Sequence, residues 1–183
     1  MPINNNAILA VDGGEPGSLR EWCYHDQSLT DKLKAITGGV QLKVLSQQWA
    51  RASWWDKYLL KLADNTVFER DILMTHQHIT YWYARSIIPE SCYRLDPEFF
   101  NRLRQESIRN LIFSEERVTR TNMWCYSINA ECLEFYWVNQ YLNDKAQEHS
   151  EPLWVRLVEY SFQQQGTFYL IEILFPELGH LHD

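Results

Sequence analysis

The chain has 183 residues, 45% of them hydrophobic and 14% aromatic, with a formal net charge of -7. That length and apolar content suit one globular domain with a sizeable core. The acidic balance argues against a nucleic-acid partner, which needs clustered Lys and Arg to displace counterions, and requires any anion site to concentrate a few arginines in a pocket. No apolar run reaches the ~18 residues of a membrane span, and the N-terminus lacks the basic-then-apolar pattern of a secretory signal. A cytoplasmic, monomeric protein without membrane insertion is therefore expected. Cys23, Cys92, Cys125 and Cys132 form no C-x-x-C pair, and the close pairs His76/His78 and His180/His182 have no cysteines nearby. The thiols read as reduced core residues, and no metal site is expected.

Residues 1–17, rich in Asn, Gly and Pro, read as a flexible leader, with a single domain over 18–183. Ser18 and Ser28 can each cap a short helix, the second stopping at Gly38-Gly39. Val40 to Ser46 alternates as a half-buried strand, and Trp54 to Leu62 reads as another strand or an irregular crossing piece. Val67 to Met74 and Ile79 to Ile88 form an antiparallel hairpin that ends at Pro89. Asp96-Pro97 opens a short helix, and Ile108 to Phe113 is compatible with helix or strand. Val118 to Ile128 reads as a strand, Ala130 to Leu142 as an aromatic-rich helix and Asn143 to Pro152 as a loop. Leu153 to Phe162 and Thr167 to Phe175 make a second hairpin around Gln163-Gln164-Gln165-Gly166. The pattern predicts an α+β fold: an antiparallel β-sheet with helices covering one face.

Two charges conflict with this greasy background. Glu172 lies inside Phe168-Tyr169-Leu170-Ile171-Glu172-Ile173-Leu174-Phe175, where an ionised carboxylate needs a cation or donor. Arg70 shares a strand face with Phe68, Ile72 and Met74. The two either pair as a buried salt bridge or flank a small polar ligand in an apolar pocket. Arg156, on a face with Trp154, Val158 and Tyr160, and Arg85, with Tyr81, Tyr83 and Ile87, are further candidate cations. The aromatic set Trp49, Trp54, Trp55, Tyr81, Trp82 and Tyr83 reads as sheet packing, and Arg120 as part of a solvated strand start.

Taken jointly, Leu19-Arg20-Glu21-Trp22, Ser28-Leu29-Thr30, Arg70-Asp71-Ile72-Leu73, Ala84-Arg85-Ser86-Ile87-Ile88-Pro89, Val118-Thr119-Arg120, Leu153-Trp154-Val155-Arg156 and Glu172-Ile173-Leu174-Phe175-Pro176 resemble, in order and spacing, the chorismate lyase family from about Leu19 to Leu178. The resemblance implies elimination of pyruvate from chorismate to give 4-hydroxybenzoate, for ubiquinone-type quinone biosynthesis, without metal or organic cofactor. It implies that Arg70 holds the ring carboxylate, that Glu172 contacts the ring hydroxyl, and that the backbone amides of Leu29 and Ile108 complete the carboxylate site beneath mobile flaps. Arg156 or Arg85 would then meet the enolpyruvyl carboxylate. The chain departs from the family pattern at Asp71, where Glu is frequent, at Ala84, where Gly is common, and in Ser107 to Phe113, which lacks a familiar glycine. The effector domains of some transcription regulators are similar in fold, so a non-catalytic aromatic-acid sensor is the alternative. The loose leader, standing where such regulators carry a DNA-binding module, counts against it.

Overall fold

The computed structural model describes residues 14–113, 116–141 and 152–181. Most of the expected leader and nearly all of the loop expected over 143–152 lie outside the described residues. The described residues build one six-stranded antiparallel sheet from β1 (Gln41–Arg51), β2 (Thr66–His76), β3 (Ile79–Pro89), β4 (Val118–Ile128), β5 (Leu153–Phe162) and β6 (Gly166–Leu174), in the order β1-β2-β3-β6-β5-β4. Two meanders, β1-β2-β3 and β4-β5-β6, thus meet where β3 pairs with β6. The helices between β3 and β4 carry the chain to the far edge, so that the second meander returns to the centre.

Both tight hairpins use residues at positive φ, Gln77 and His78 in one and Gln163 and Gln164 in the other. That backbone matches the right-handed twist of the flanking strands. Gly166, just after the second turn, is required for space. A Cβ there would lie 2.7 Å from both Cys92 Sγ and Leu95 Cδ1.

One sheet face carries α1 (Arg20–Cys23), α2 (Leu29–Thr37), α4 (Glu90–Tyr93), α5 (Pro97–Asn101) and α6 (Ile108–Phe113), packed on Phe68, Trp82, Val158 and Phe168. The segment Ile108 to Phe113 therefore resolves as helix. The opposite face is covered by α3 (Trp54–Leu59) and α7 (Leu133–Val138), packed on Tyr83, Val155 and Ile171. The helices thus divide between the faces, with most on the first. The reason lies at Ser53. Trp54 to Leu62, expected as strand or crossing piece, opens as a helix because Ser53 Oγ accepts from the Asp56 amide at 3.2 Å while Asp56 Oδ2 accepts from the Ser53 amide at 2.6 Å. This reciprocal capping satisfies two end donors and outweighs the aromatic bias towards strand.

Replacing Gly166 by Ala is expected to destabilise the protein by about 1–3 kcal/mol through overpacking against Cys92 and Leu95, a Tm loss of several degrees readable by thermal unfolding. An unchanged Tm would show that the neighbours yield freely.

Candidate active site between β2 and β6

Register places the flagged charges on one face. Arg70 on β2 stands opposite Ser86 on β3, and Ile72 opposite Ala84. Ala84 in turn faces Glu172 on β6, which faces Arg156 on β5, which faces Cys125 on β4. Directly opposed residues share a face, as do residues two apart on one strand. Arg70 and Glu172 are therefore two strands and two residues apart, roughly 12 Å between Cα atoms from ordinary sheet spacings. Small side chains, Ala84 and Ser86, form the floor between them.

The two charges are met differently. Arg70 is only 4% exposed, its Nε is buried without a partner, and no carboxylate pairs with it among the described residues. Burial pulls its pKa down. A guanidinium in an apolar wall with its Nε unmet and no carboxylate beside it is unfavourable by itself. Glu172, by contrast, is held by Arg156, whose Nη1 donates to Glu172 Oε2 at 2.8 Å, with both side chains buried. Arg156 Nη2 donates to the His25 carbonyl at 2.6 Å, and its Nε points to Met123 Sδ at 3.3 Å. Burial raises the Glu172 pKa and the Arg156 guanidinium works against that rise.

A roof closes over the floor. Thr30 on α2 and Ser107, Ile108 and Arg109 at the start of α6 line the same cavity as Arg70, Ser86 and Glu172, with Leu42, Met74, Trp82 and Leu170 making the apolar remainder. Leu29 is the first residue of α2, where Ser28 Oγ takes the Asp31 amide at 3.2 Å. Its side chain is buried in the core, and its amide, like that of Ile108 opening α6, has no intrahelical acceptor. The roof helices are clasped by Arg109, whose Nε and Nη2 each donate to Asp31 Oδ2 at 2.8 Å. The cavity volume is about 30 Å³, room for about two waters, which is smaller than an aromatic acid.

Of the sequence candidates, Arg70, Glu172 and Ile108 line the cavity, whereas Leu29 packs in the core and its helix reaches the cavity through Thr30. Arg156 lies on the same face but is consumed by Glu172 and the His25 carbonyl. Arg85 does not join them. It lies on the opposite face, its Nε and Nη2 donating to Asp71 Oδ1 and Oδ2 at 2.8 Å each, with its guanidinium carbon 4.2 Å from the Trp137 ring centre. The odd-even parity of β3 sets it there, beside Tyr83 and Ile87 rather than Ala84 and Ser86. Sequence reasoning missed Ala84, Ser86 and Arg109. The hairpin register, pairing Ser86 with Arg70, would have found the first two; Arg109 had no local signal.

The family model for chorismate lyase matches residues 13–146. The chain belongs to the chorismate lyase family. Two curated relatives are each named "probable chorismate pyruvate-lyase". That of Pseudoalteromonas translucida is 28% identical over 112 residues, 61% of this chain and 62% of the relative. That of Idiomarina loihiensis is 28% identical over 108 residues, 59% of this chain and 53% of the relative. The chain thus spans less than two thirds of the length of either. Among solved structures, the C-terminal domain of the histidine utilization repressor from Pseudomonas syringae pv. tomato aligns with TM-score 0.56 at 14% identity, over 79% of this chain and 97% of that one. PhnF from Mycobacterium smegmatis aligns with TM-score 0.51 at 13% identity, over 82% and 64%. At such identities the likeness is one of fold. Leu29, Arg70 and Ile108 fall within the family match, whereas Arg156 and Glu172 lie beyond it on the β5–β6 hairpin, Glu172 alone of the two lining the cavity.

Two expectations follow from the unequal partnering. Arg70→Met removes a buried, unmatched guanidinium and is expected to stabilise the protein by about 1–3 kcal/mol, with a higher Tm; a lower Tm would mean that Arg70 is structurally satisfied. Arg156→Met removes the influence that lowers the Glu172 pKa, so the Glu172 titration, followed by carboxyl NMR, is expected to move to higher pH. Because burial already raises this pKa in the fold, the folded state holds the proton more tightly than the unfolded chain. Glu172 therefore lends stability below its unfolded pKa and loses it as pH rises through the folded one. A titration midpoint that does not move would contradict the assigned pairing.

Proposed function

We propose that the chain eliminates pyruvate from chorismate to give 4-hydroxybenzoate, for ubiquinone-type quinone biosynthesis. The observation that carries this reading is the buried, unpartnered Arg70 standing across an Ala84–Ser86 floor from a carboxylate that is already paired elsewhere. A planar guanidinium offers paired donors matched to a ring carboxylate, and the amides at the starts of α2 and α6 add further donors. A ring so anchored extends over the small floor residues towards Glu172, which meets the hydroxyl-bearing end.

In the proposed reaction the C–H bond at the hydroxyl-bearing ring carbon and the neighbouring ring-to-oxygen ether bond break. The electron pair of the C–H bond completes the aromatic ring, and the departing enolpyruvate takes up a proton at its methylene carbon to become pyruvate. Atoms and electrons balance without a metal, a redox partner or a cofactor. Glu172 orients the hydroxyl or takes part in proton transfer, and Arg156 holds its carboxylate in place. Aromatisation supplies much of the driving force, so fixing a reactive conformer in a water-poor chamber is the main task. For the enolpyruvyl carboxylate, Arg109 replaces the earlier candidates Arg85 and Arg156, because it is the cation other than Arg70 in the described cavity wall.

Incubation of purified protein with chorismate is expected to yield 4-hydroxybenzoate and pyruvate in equal amounts. Binding of 4-hydroxybenzoate without turnover would instead leave the sensor reading. Arg70→Ala is expected to raise KM at least 10-fold, and Glu172→Ala to lower kcat by roughly 10²–10⁴-fold; unchanged turnover in both variants would refute these roles. The clasp separates two jobs of Arg109. Arg109→Met is expected to raise KM about 10-fold or more, whereas Asp31→Asn, which frees the roof but keeps the guanidinium, should leave KM within about 5-fold. Equal KM increases in both variants would assign Arg109 to roof closure alone.

A further inference from the structure

A second cavity, of about 350 Å³, opens on the opposite sheet face between α3 and the β4–α7 connection. That volume is within the range of small-molecule pockets, and the cavity shares no wall residue with the site at Arg70. Its walls include Trp54, Trp55, Tyr58 and Tyr126, together with Glu131 and Glu134, and no Lys, Arg or His among the described residues. Trp54 and Tyr58 stack at 4.7 Å between ring centres and 16° between planes while remaining 70% and 48% exposed.

Glu134 supplies this wall with a carboxylate that no cation balances among the described residues. It is 6% exposed and accepts from the Tyr126 hydroxyl at 3.0 Å. The Trp55 indole N–H is buried with no acceptor among the described residues. The described wall holds two carboxylates and no lysine or arginine, so it disfavours an anion, while a neutral apolar guest leaves the carboxylate without a counter-charge. Aromatic faces attract cations through their quadrupole, and a carboxylate beside them adds a full opposite charge. We propose that this aromatic–carboxylate cavity binds an organic ammonium ion with an aromatic body: the ammonium meets Glu134 and the ring faces, and the body lies against Trp54 and Tyr58. The molecule thus carries sites of opposite sign on its two sheet faces, an arginine site for an anion and a carboxylate site for a cation.

Tyramine serves as the probe, 4-ethylphenol as its uncharged counterpart and 3-(4-hydroxyphenyl)propanoate as its anionic one. The readout is the indole N–H signals of Trp54 and Trp55 in the full chain, assigned with Trp54→Phe. Tyramine is expected to shift these signals saturably and to bind at least 10-fold more tightly than 4-ethylphenol. The propanoate should leave them unmoved. Glu134→Gln, which keeps an acceptor for Tyr126, should weaken tyramine binding about 10-fold. If that variant does not fold, Trp54→Ala at its exposed position serves instead and should weaken binding several-fold. Equal affinity for tyramine and 4-ethylphenol, no effect of either substitution, or no saturable shift overturns the proposal.

Discussion

A guanidinium buried in an apolar wall with no carboxylate to meet it is the constraint from which the rest of the molecule can be understood. Among the described residues Arg70 finds no carboxylate, and its Nε is buried without a partner. The fold nevertheless brings it to the joint between two meanders, above a floor of the smallest side chains in the central strands. An overall charge of -7 repels anions at long range, so a local, desolvated cation is what an anionic ring needs in order to be held. The unfavourable burial and the proposed binding role are two aspects of one arrangement, since an arginine already satisfied by Glu172 would have little left for a ligand.

Arg156 is what keeps those two charges apart. By donating to Glu172 and to the His25 carbonyl at once, it gives the carboxylate a partner other than Arg70 and ties the turn ahead of α2 to β5. Arg120 Nη1, donating to the Asp26 carbonyl at 2.8 Å, anchors the same turn from β4. The start of α2, which supplies part of the roof, is thus positioned by arginines of the second meander while Arg70, without a carboxylate partner among the described residues, comes from the first. On the other face, Asp71 pairs with Arg85 in a separate network. The central strands thus carry two charge systems that do not exchange partners.

Much of this was legible in the sequence because parity in a strand is a strong rule. Arg70 among Phe68, Ile72 and Met74, and Glu172 among the seven apolar or aromatic residues of Phe168 to Phe175, announced inward charges from the sequence itself. The hairpins were legible from their turns. The failures share a cause as well. Arg85 and Arg156 were weighed as equals because residue-by-residue reading did not carry the register across β2, β3 and β6, and only that register separates their faces. Trp54 to Leu62 looked like strand because its aromatics dominate the local composition, whereas the capping pair Ser53 and Asp56 decides the backbone. The Arg109–Asp31 clasp was invisible because a contact between α6 and α2 spans 78 positions and leaves no periodic trace.

The most direct measurement is a crystal structure of the protein with 4-hydroxybenzoate. The account requires one ring over Ala84 and Ser86, its carboxylate on the Arg70 guanidinium and the amides of Leu29 and Ile108, its hydroxyl on Glu172, and the Glu172–Arg156 pair intact. Arg70 turned onto Glu172, or a ring bound elsewhere with Arg70 still unmatched, would contradict it.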